Sequence, residues 1–225
     1  MRPLLLLLLL IFTSGCTTTA RITNTPVDEA IPIKRTAINS GQQNAENALF
    51  FMSFSGGGTR AAALTYGVLE ELRDTTFVFD GQEKRLLDEV DSISSVSGGS
   101  FTAAYYALYG DRIFEDYEEV FLRRNVQKTL IGSVLNPVNW LRMAFTKLNR
   151  TELAINYYER HIFHGSTFAD IEARDGPYLD INATDLGIGE RFTFTQRSFN
   201  MLCSDRSNFS VARAVAASSA CLLYT

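Results

Sequence analysis

The sequence predicts an α/β domain with a central, mainly parallel sheet and a serine held on a sharp strand-to-helix turn. Three observations predict it. Strand-like and helix-like segments alternate along the chain, the pattern of parallel strands joined by crossover helices. The run "ALFFMSFSGGG" (48–58) is continuously apolar and ends in glycines, which suits a buried parallel strand better than a half-exposed one. The stretch "VDSISSVSGGS" (90–100) carries an apolar strand through Ser-x-Ser-Gly-Gly into the helical "FTAAYYALYG". Ser/Gly clusters are also ordinary turn material, so a flexible loop is the alternative for this last stretch.

The elements follow in order. "TRAAALTYGVLEELRD" (59–74) reads as a helix, "TTFVFDG" (75–81) as a short strand or hairpin arm, and "KRLLDEV" (84–90) as helical. The strand and turn up to residue 100 lead into a helix from about Phe101 to Tyr109. Residues 111–175 are mostly helical, with breaks at Asn136-Pro137 and Asn149-Arg150-Thr151. The aromatics there read chiefly as helices packing on the sheet, with a cap over an apolar pocket as the alternative. "PYLDINATDL" and "ERFTFTQRS" are strands, and "SVARAVAASSACLL" is a helix. There is no internal repeat.

A chain of 225 residues suffices for one α/β domain, or at most two small ones. Apolar and charged contents of 46% and 20% are ordinary for a globular protein. A net charge of −4 without a basic tract gives no support for nucleic acid as a partner. The N-terminus "MRPLLLLLLLIFTSGC" has one basic residue, an apolar run from Leu4 to Phe12 and then small residues. That run is too short to span a bilayer and fits the h-region of a signal peptide. Thr13-Ser14-Gly15-Cys16 resembles a bacterial lipobox, with Thr13 where an aliphatic residue is usual; a plain secretory signal is the alternative. The expected organisation is a signal peptide over 1–15, a polar tether over 16–47 and a domain over 48–225. Cys16 would carry the lipid, and two or more acyl chains suffice for stable anchoring. Thr17, not Asp, after it suggests the periplasmic face of the outer membrane, by resemblance to Gram-negative lipoproteins.

Two motifs carry chemistry. In Ser55-Gly56-Gly57-Gly58-Thr59-Arg60 the glycines let backbone approach a ligand just before a helix, where free N–H groups and the helix dipole favour negative charge. The oxyanion of a tetrahedral intermediate would be stabilised there, with Gly57 and Gly58 as donors, Gly56 shaping the loop and Arg60 in support. In Ser95-Val96-Ser97-Gly98-Gly99 the pattern is close to the nucleophile elbow G-x-S-x-G, Ser95 replacing the first glycine. Ser97 is the candidate nucleophile, the Gly98 N–H a further oxyanion donor, and Gly99 the closing glycine of the turn.

Together, "SFSGGGTRAAALTYGVLEEL", "SSVSGGS", "YLDINATDLGIGERFTFT" and "FSVARAVAASSA" resemble segments of the patatin-like phospholipase family, over about Leu49 to Ala220. The resemblance implies a three-layer α/β fold and a lipid acyl hydrolase with a Ser–Asp dyad, without calcium or another cofactor. Its substrates would be membrane lipids or other acyl esters. Ser55 stands where the family has Asp before the glycines. The family's base lies in an Asp-Gly-Gly or Asp-Gly-Ala motif after the "ASSA" helix, and no Asp follows Asp205 here. Asp80-Gly81 and Asp175-Gly176 precede that helix and read as turns. The chain is thus expected to be a truncated or frame-shifted member, inactive or nearly so.

Other readings compete. A Ser-His-Asp hydrolase would have to use His161 or His164, which sit near a helix end where a cationic or capping role is common. A dinucleotide-binding domain fits Gly56-Gly57-Gly58-Thr59-Arg60-Ala61 as G-x-G-x-x-A, with Asp80 as its acid, yet leaves the Ser97 turn unexplained. A non-catalytic lipoprotein using the fold as a binding module is the third. Cys203 and Cys221 permit a disulfide in an oxidising compartment but read as small buried residues, and no spacing suggests a metal site.

Overall fold

The computed structural model describes residues 24–33, 49–79, 81–146, 148–185 and 187–220. The leader with Cys16, and Cys221, lie outside them. Strand β1 (Thr25–Pro26) is followed by β2 (Phe50–Phe54), helix α1 (Gly58–Asp74), β3 (Thr76–Phe79), β4 (Gln82–Arg85), β5 (Val90–Val96) and α2 (Gly98–Tyr109). Helix α3 (Ile113–Tyr117) continues into a π-helical turn over Glu118–Leu122. Then come α4 (Val126–Leu135), α5 (Pro137–Phe145), α6 (Arg150–His161) and α7 (Phe168–Glu172). Strands β6 (Tyr178–Thr184) and β7 (Arg191–Thr193), helix α8 (Gln196–Met201), β8 (Ser204–Asp205) and α9 (Val211–Ser218) complete the order.

The central sheet runs β2-β5-β6-β7, with β5 parallel to both β2 and β6 and only β7 antiparallel. The mainly parallel sheet flanked by helices therefore holds. Its register pairs Phe54 with Ser95 and Val96 with Asn182. Neighbouring parallel strands thus end together, and the loops that follow β2 and β5 leave the same edge of the sheet side by side. This is where open α/β sheets bind ligands, because the strand ends and helix N-termini converge there.

Helix α2 is the centre of the core. Every residue from Gly98 to Leu108 is buried, as expected of a helix that is apolar all round. It packs on the sheet face that carries Ile93 and Ile181, both fully buried. Phe101 stacks on Phe121 at 4.5 Å and meets Tyr158 edge-on at 5.0 Å, tying α2 to the π-helical turn and to α6. Such aromatic pairs contribute about 0.5–1.5 kcal/mol each beyond their buried area.

Several expectations are corrected. β2 is not buried on both faces: its side chains alternate, and Phe54 is buried while Phe51 is 63% exposed on the other face. Lys84 and Arg85 are not helical. They form the second arm of the β3–β4 hairpin, turned at Gly81 (φ 74°), and only a single 3-10 turn follows at Leu86–Glu89. Helix α2 starts at Gly98 rather than Phe101. Of "ERFTFTQRS", only Arg191–Thr193 is strand; Gln196 opens a helix that the Thr195 side chain caps by accepting from the Ser198 N–H at 3.2 Å. The breaks between α4, α5 and α6 fall where expected, because Asn136 and Asn149 each accept a first-turn N–H, at 2.9 and 2.8 Å; Asn125, which the sequence reading did not single out, caps α4 in the same way at 2.9 Å. Within the segment read as a tether, β1 pairs antiparallel with β8, and Asn200 exchanges hydrogen bonds with the Ile31 backbone.

Candidate active site

Ser97 has φ 54° and ψ −122°, a backbone conformation that non-glycine residues rarely adopt. Strain of this kind costs about 1–3 kcal/mol and persists only where the surroundings enforce it. Here three elements do so. The Ser97 N–H donates to Ser218 Oγ on α9 at 2.8 Å, and that hydroxyl donates to the Asn182 carbonyl of β6 at 2.5 Å. The Ser100 hydroxyl lies 3.1 Å from both Ser218 Oγ and Ser95 Oγ, and Ser95 donates to the Asp180 carbonyl at 3.2 Å. Ser95 is therefore more than a small substitute for glycine: its buried hydroxyl helps to lock the turn to the neighbouring strand.

The glycines beyond Ser97 are required by close approach. A Cβ on Gly98 would stand 2.1 Å from the Gly58 carbonyl oxygen, and one on Gly99 2.8 Å from Phe54 Cβ and from the Ser55 carbonyl oxygen. The N-termini of α1 and α2 thus abut. Gly57 (φ 143°) and Gly58 (φ 67°) bend the β2–α1 loop into this contact with backbone angles that side chains disfavour. A Cβ on Gly56 would lie 3.2 Å from Ser97 Cβ and 3.7 Å from its Oγ, so the loop faces the serine directly. The N–H groups of Gly58 and Gly98 open helices and have no intrahelical acceptor. The Ser97 N–H, by contrast, is taken by Ser218. Two helix dipoles point their positive ends at one spot beside Ser97.

The remaining candidates fall elsewhere. Arg60 is exposed on the first turn of α1. His161 packs on Tyr157 at 4.7 Å, and His164 sits in a positive-φ turn 6.4 Å from Tyr109. Asp205 accepts from the Ser207 N–H at 2.8 Å within its own turn, and Asp175-Gly176 is an exposed bend. Asp80 lies outside the described residues. Among the described residues no carboxylate or imidazole hydrogen-bonds to Ser97 Oγ, and no cluster of His, Cys, Asp and Glu is arranged to hold a metal. Cys203 is free and exposed rather than buried.

Ser218, Ser100 and Asn182 are the residues that sequence reasoning did not single out. "ASSA" offers two adjacent serines, and nothing local says which one reaches the turn; Ser219 merely donates back to Val215 within its own helix. Ser218→Ala removes the acceptor for the Ser97 N–H. It is expected to cost about 1–3 kcal/mol, lowering the melting temperature by about 2–4 °C per kcal/mol in a domain of this size. Thermal melts check it.

Asp180 lies on β6 opposite Ser94, and its Oδ1 is buried with no partner among the described residues. Burial raises its carboxyl above the ordinary 3.8, against the lowering influence of Arg206 and then Arg191. The folded state then holds this proton to higher pH than the unfolded chain. The group's contribution to stability falls as pH rises from the ordinary value through the raised one, and its unfavourable part is complete above that. Asp180→Asn is expected to raise the melting temperature near neutral pH, with the difference closing below about pH 4. A pH series of melts on both proteins checks the sign.

The α/β domain thus brings a strained serine at the end of β5 against the glycine loop that follows β2. The profile of the patatin-like phospholipase family matches residues 52–225, and the chain belongs to that family. No curated protein matches the sequence significantly. Solved structures similar to it include human GIVD cytosolic phospholipase A2 with the inhibitor methyl gamma-linolenyl fluorophosphonate and terbium chloride. That match has 17% identity and a TM-score of 0.49, over 80% of this chain and 32% of that one. Human GIVD cytosolic phospholipase A2 alone matches at 17% identity and TM-score 0.45, over 84% of this chain and 30% of that one. The chain spans about a third of the length of these structures.

Proposed function

We propose that the chain is a lipid acyl hydrolase in which Ser97 is the nucleophile and the backbone of Gly57, Gly58 and Gly98 forms the oxyanion hole. The observation that carries this is the strained φ of Ser97 at the meeting point of two helix N-termini. Ser97 Oγ attacks the ester carbonyl, and the carbonyl oxygen takes the negative charge between the glycine N–H groups. Collapse expels the alcohol and leaves an acyl-enzyme, which water cleaves. Donors of this kind are worth about 3–4 kcal/mol each in the transition state. In the family's dyad an Asp takes the Ser97 proton, passes it to the leaving alcohol oxygen and, deprotonated again, activates the water. Among the described residues the Ser97 backbone is held by Ser218 and Ser100, and no carboxylate is hydrogen-bonded to Ser97 Oγ, so the reading rests on the serine and the oxyanion site. The test is covalent: a fluorophosphonate probe followed by peptide mass spectrometry. Phosphonylation of Ser97 is the expected result.

One second reading is a patatin-fold lipoprotein that binds lipid without cleaving it, favoured by the lack, among the described residues, of a carboxylate or imidazole hydrogen-bonded to Ser97 Oγ. Absence of any adduct at Ser97, in a protein that melts cooperatively, would select that reading. A dinucleotide site is disfavoured because the loop that would cradle a pyrophosphate is packed against Ser97. We further propose that Cys16 is lipidated and holds the domain at the periplasmic face of a bacterial outer membrane. Cys16→Ser should move the protein from the membrane to the soluble fraction.

A further inference from the structure

The two helices α4 and α5 carry an apolar surface that the domain core does not use. Ile131 and Leu135 are four apart on α4, and Val138, Leu141 and Phe145 follow at three and four on α5, so each set shares a helix face. All five are at least half exposed, Phe145 to 81%. Exposed apolar groups clustered in this way mark an interaction surface. The charge around them is one-sided. Between Glu119 and Glu152 the chain has Arg123, Arg124, Lys128, Arg142, Lys147 and Arg150 and not one acidic residue, although the whole chain is at −4. Arg123 is taken up by Glu118 at 2.7 Å, whereas Lys128 and Arg142 face solvent on the two apolar helices themselves.

We propose that α4 and α5 are a docking surface for an anionic lipid bilayer, with the apolar side chains entering the headgroup boundary and the cations meeting lipid phosphates. Both helices are far too short to span a bilayer, and no described helix is long and apolar enough to cross one. They would therefore lie in the interface plane, as short basic amphipathic helices do. A second copy of this chain is a poorer occupant, because the same cations would face each other. The surface is also linked to the site. Helix α4 packs on α6, α6 is joined to α9 through Glu152 and Arg213 at 2.7 and 3.0 Å, and α9 ends at Ser218 behind Ser97.

The chain has a single tryptophan, Trp140, within α5. Its fluorescence follows the helix α5 that carries it, and not the leader or a lipid on Cys16. Full-length protein is mixed with vesicles of phosphatidylcholine containing phosphatidylglycerol, or of phosphatidylcholine only. The expected result is a blue shift and quenching by brominated lipid in the anionic vesicles, both weakened by salt. Lys128→Gln and Arg142→Gln should each weaken binding about fivefold. Leu141→Ser/Phe145→Ser should abolish the quenching while leaving fluorophosphonate labelling of Ser97 unchanged, which separates this surface from the proposed chemistry. Trp140 left unquenched when the protein sediments with the vesicles overturns the proposal. So does a shift that follows protein concentration without lipid, which would show a second copy on this face.

Discussion

Ser97→Gly is expected to abolish phosphonylation and ester cleavage and, at the same time, to make the protein more stable. The first effect follows from loss of the nucleophile, whose side chain lies in van der Waals reach of Gly56 in the glycine loop. The second follows from the backbone. At φ 54° a side chain is strained, and glycine at such a position is not. The gain is expected to be about 1 kcal/mol, partly offset by the greater freedom of glycine in the unfolded chain. Ser97→Ala should remove labelling equally and leave stability near that of the natural sequence. Melts of the three proteins beside a labelling assay check the pattern. A Ser97→Gly protein markedly less stable than the natural one would mean that the turn is relaxed, and the reading of Ser97 as an enforced, reactive position would fall.

Gly98→Ala is expected to have the largest effect on the fold. Its Cβ would stand 2.1 Å from the Gly58 carbonyl oxygen and 2.9 Å from the Gly58 nitrogen. These are backbone atoms at the junction of two helices, so no side chain can swing away. Overpacking of a tight core costs about 1–3 kcal/mol and sometimes more, and this contact belongs at the upper end. The melting temperature should fall by roughly 6 °C or more. Labelling of Ser97 should be lost as well, because α1 and α2 must separate and carry the glycine N–H groups out of place. The same change at Gly67 is a built-in control, since a Cβ there meets nothing within 4 Å. Gly67→Ala should be neutral or slightly stabilising in its helix.

Much of this was legible before any coordinates. The apolar runs ending in Gly and Ser/Gly marked the two strand-to-helix turns, since a tight turn needs residues without bulk. The Asn residues that open α5 and α6 could be read because a cap is a local device, completed within three residues. Local pattern failed where partners decided. "KRLLDEV" has helical composition, yet its first residues pair with β3, and pairing lies outside a helical reading of seven residues. The apolar character of β2 suggested burial on both faces, but which face of a strand is covered is decided only by the layers that pack on the sheet.

What the sequence determined by itself was the chemistry within reach: a serine and five glycines in two turns, each before a helix. What only the tertiary structure decided was their meeting. The register of Phe54 with Ser95 brings the two turns to one edge, and the abutting Gly58 and Gly98 aim two helix N-termini at one point. Ser218, 121 residues beyond Ser97, holds the turn in its strained form. The reason is physical: spacing along the chain sets local backbone preference, whereas hydrogen bonds between distant residues and the clearance left for a Cβ exist only once strands have chosen their neighbours.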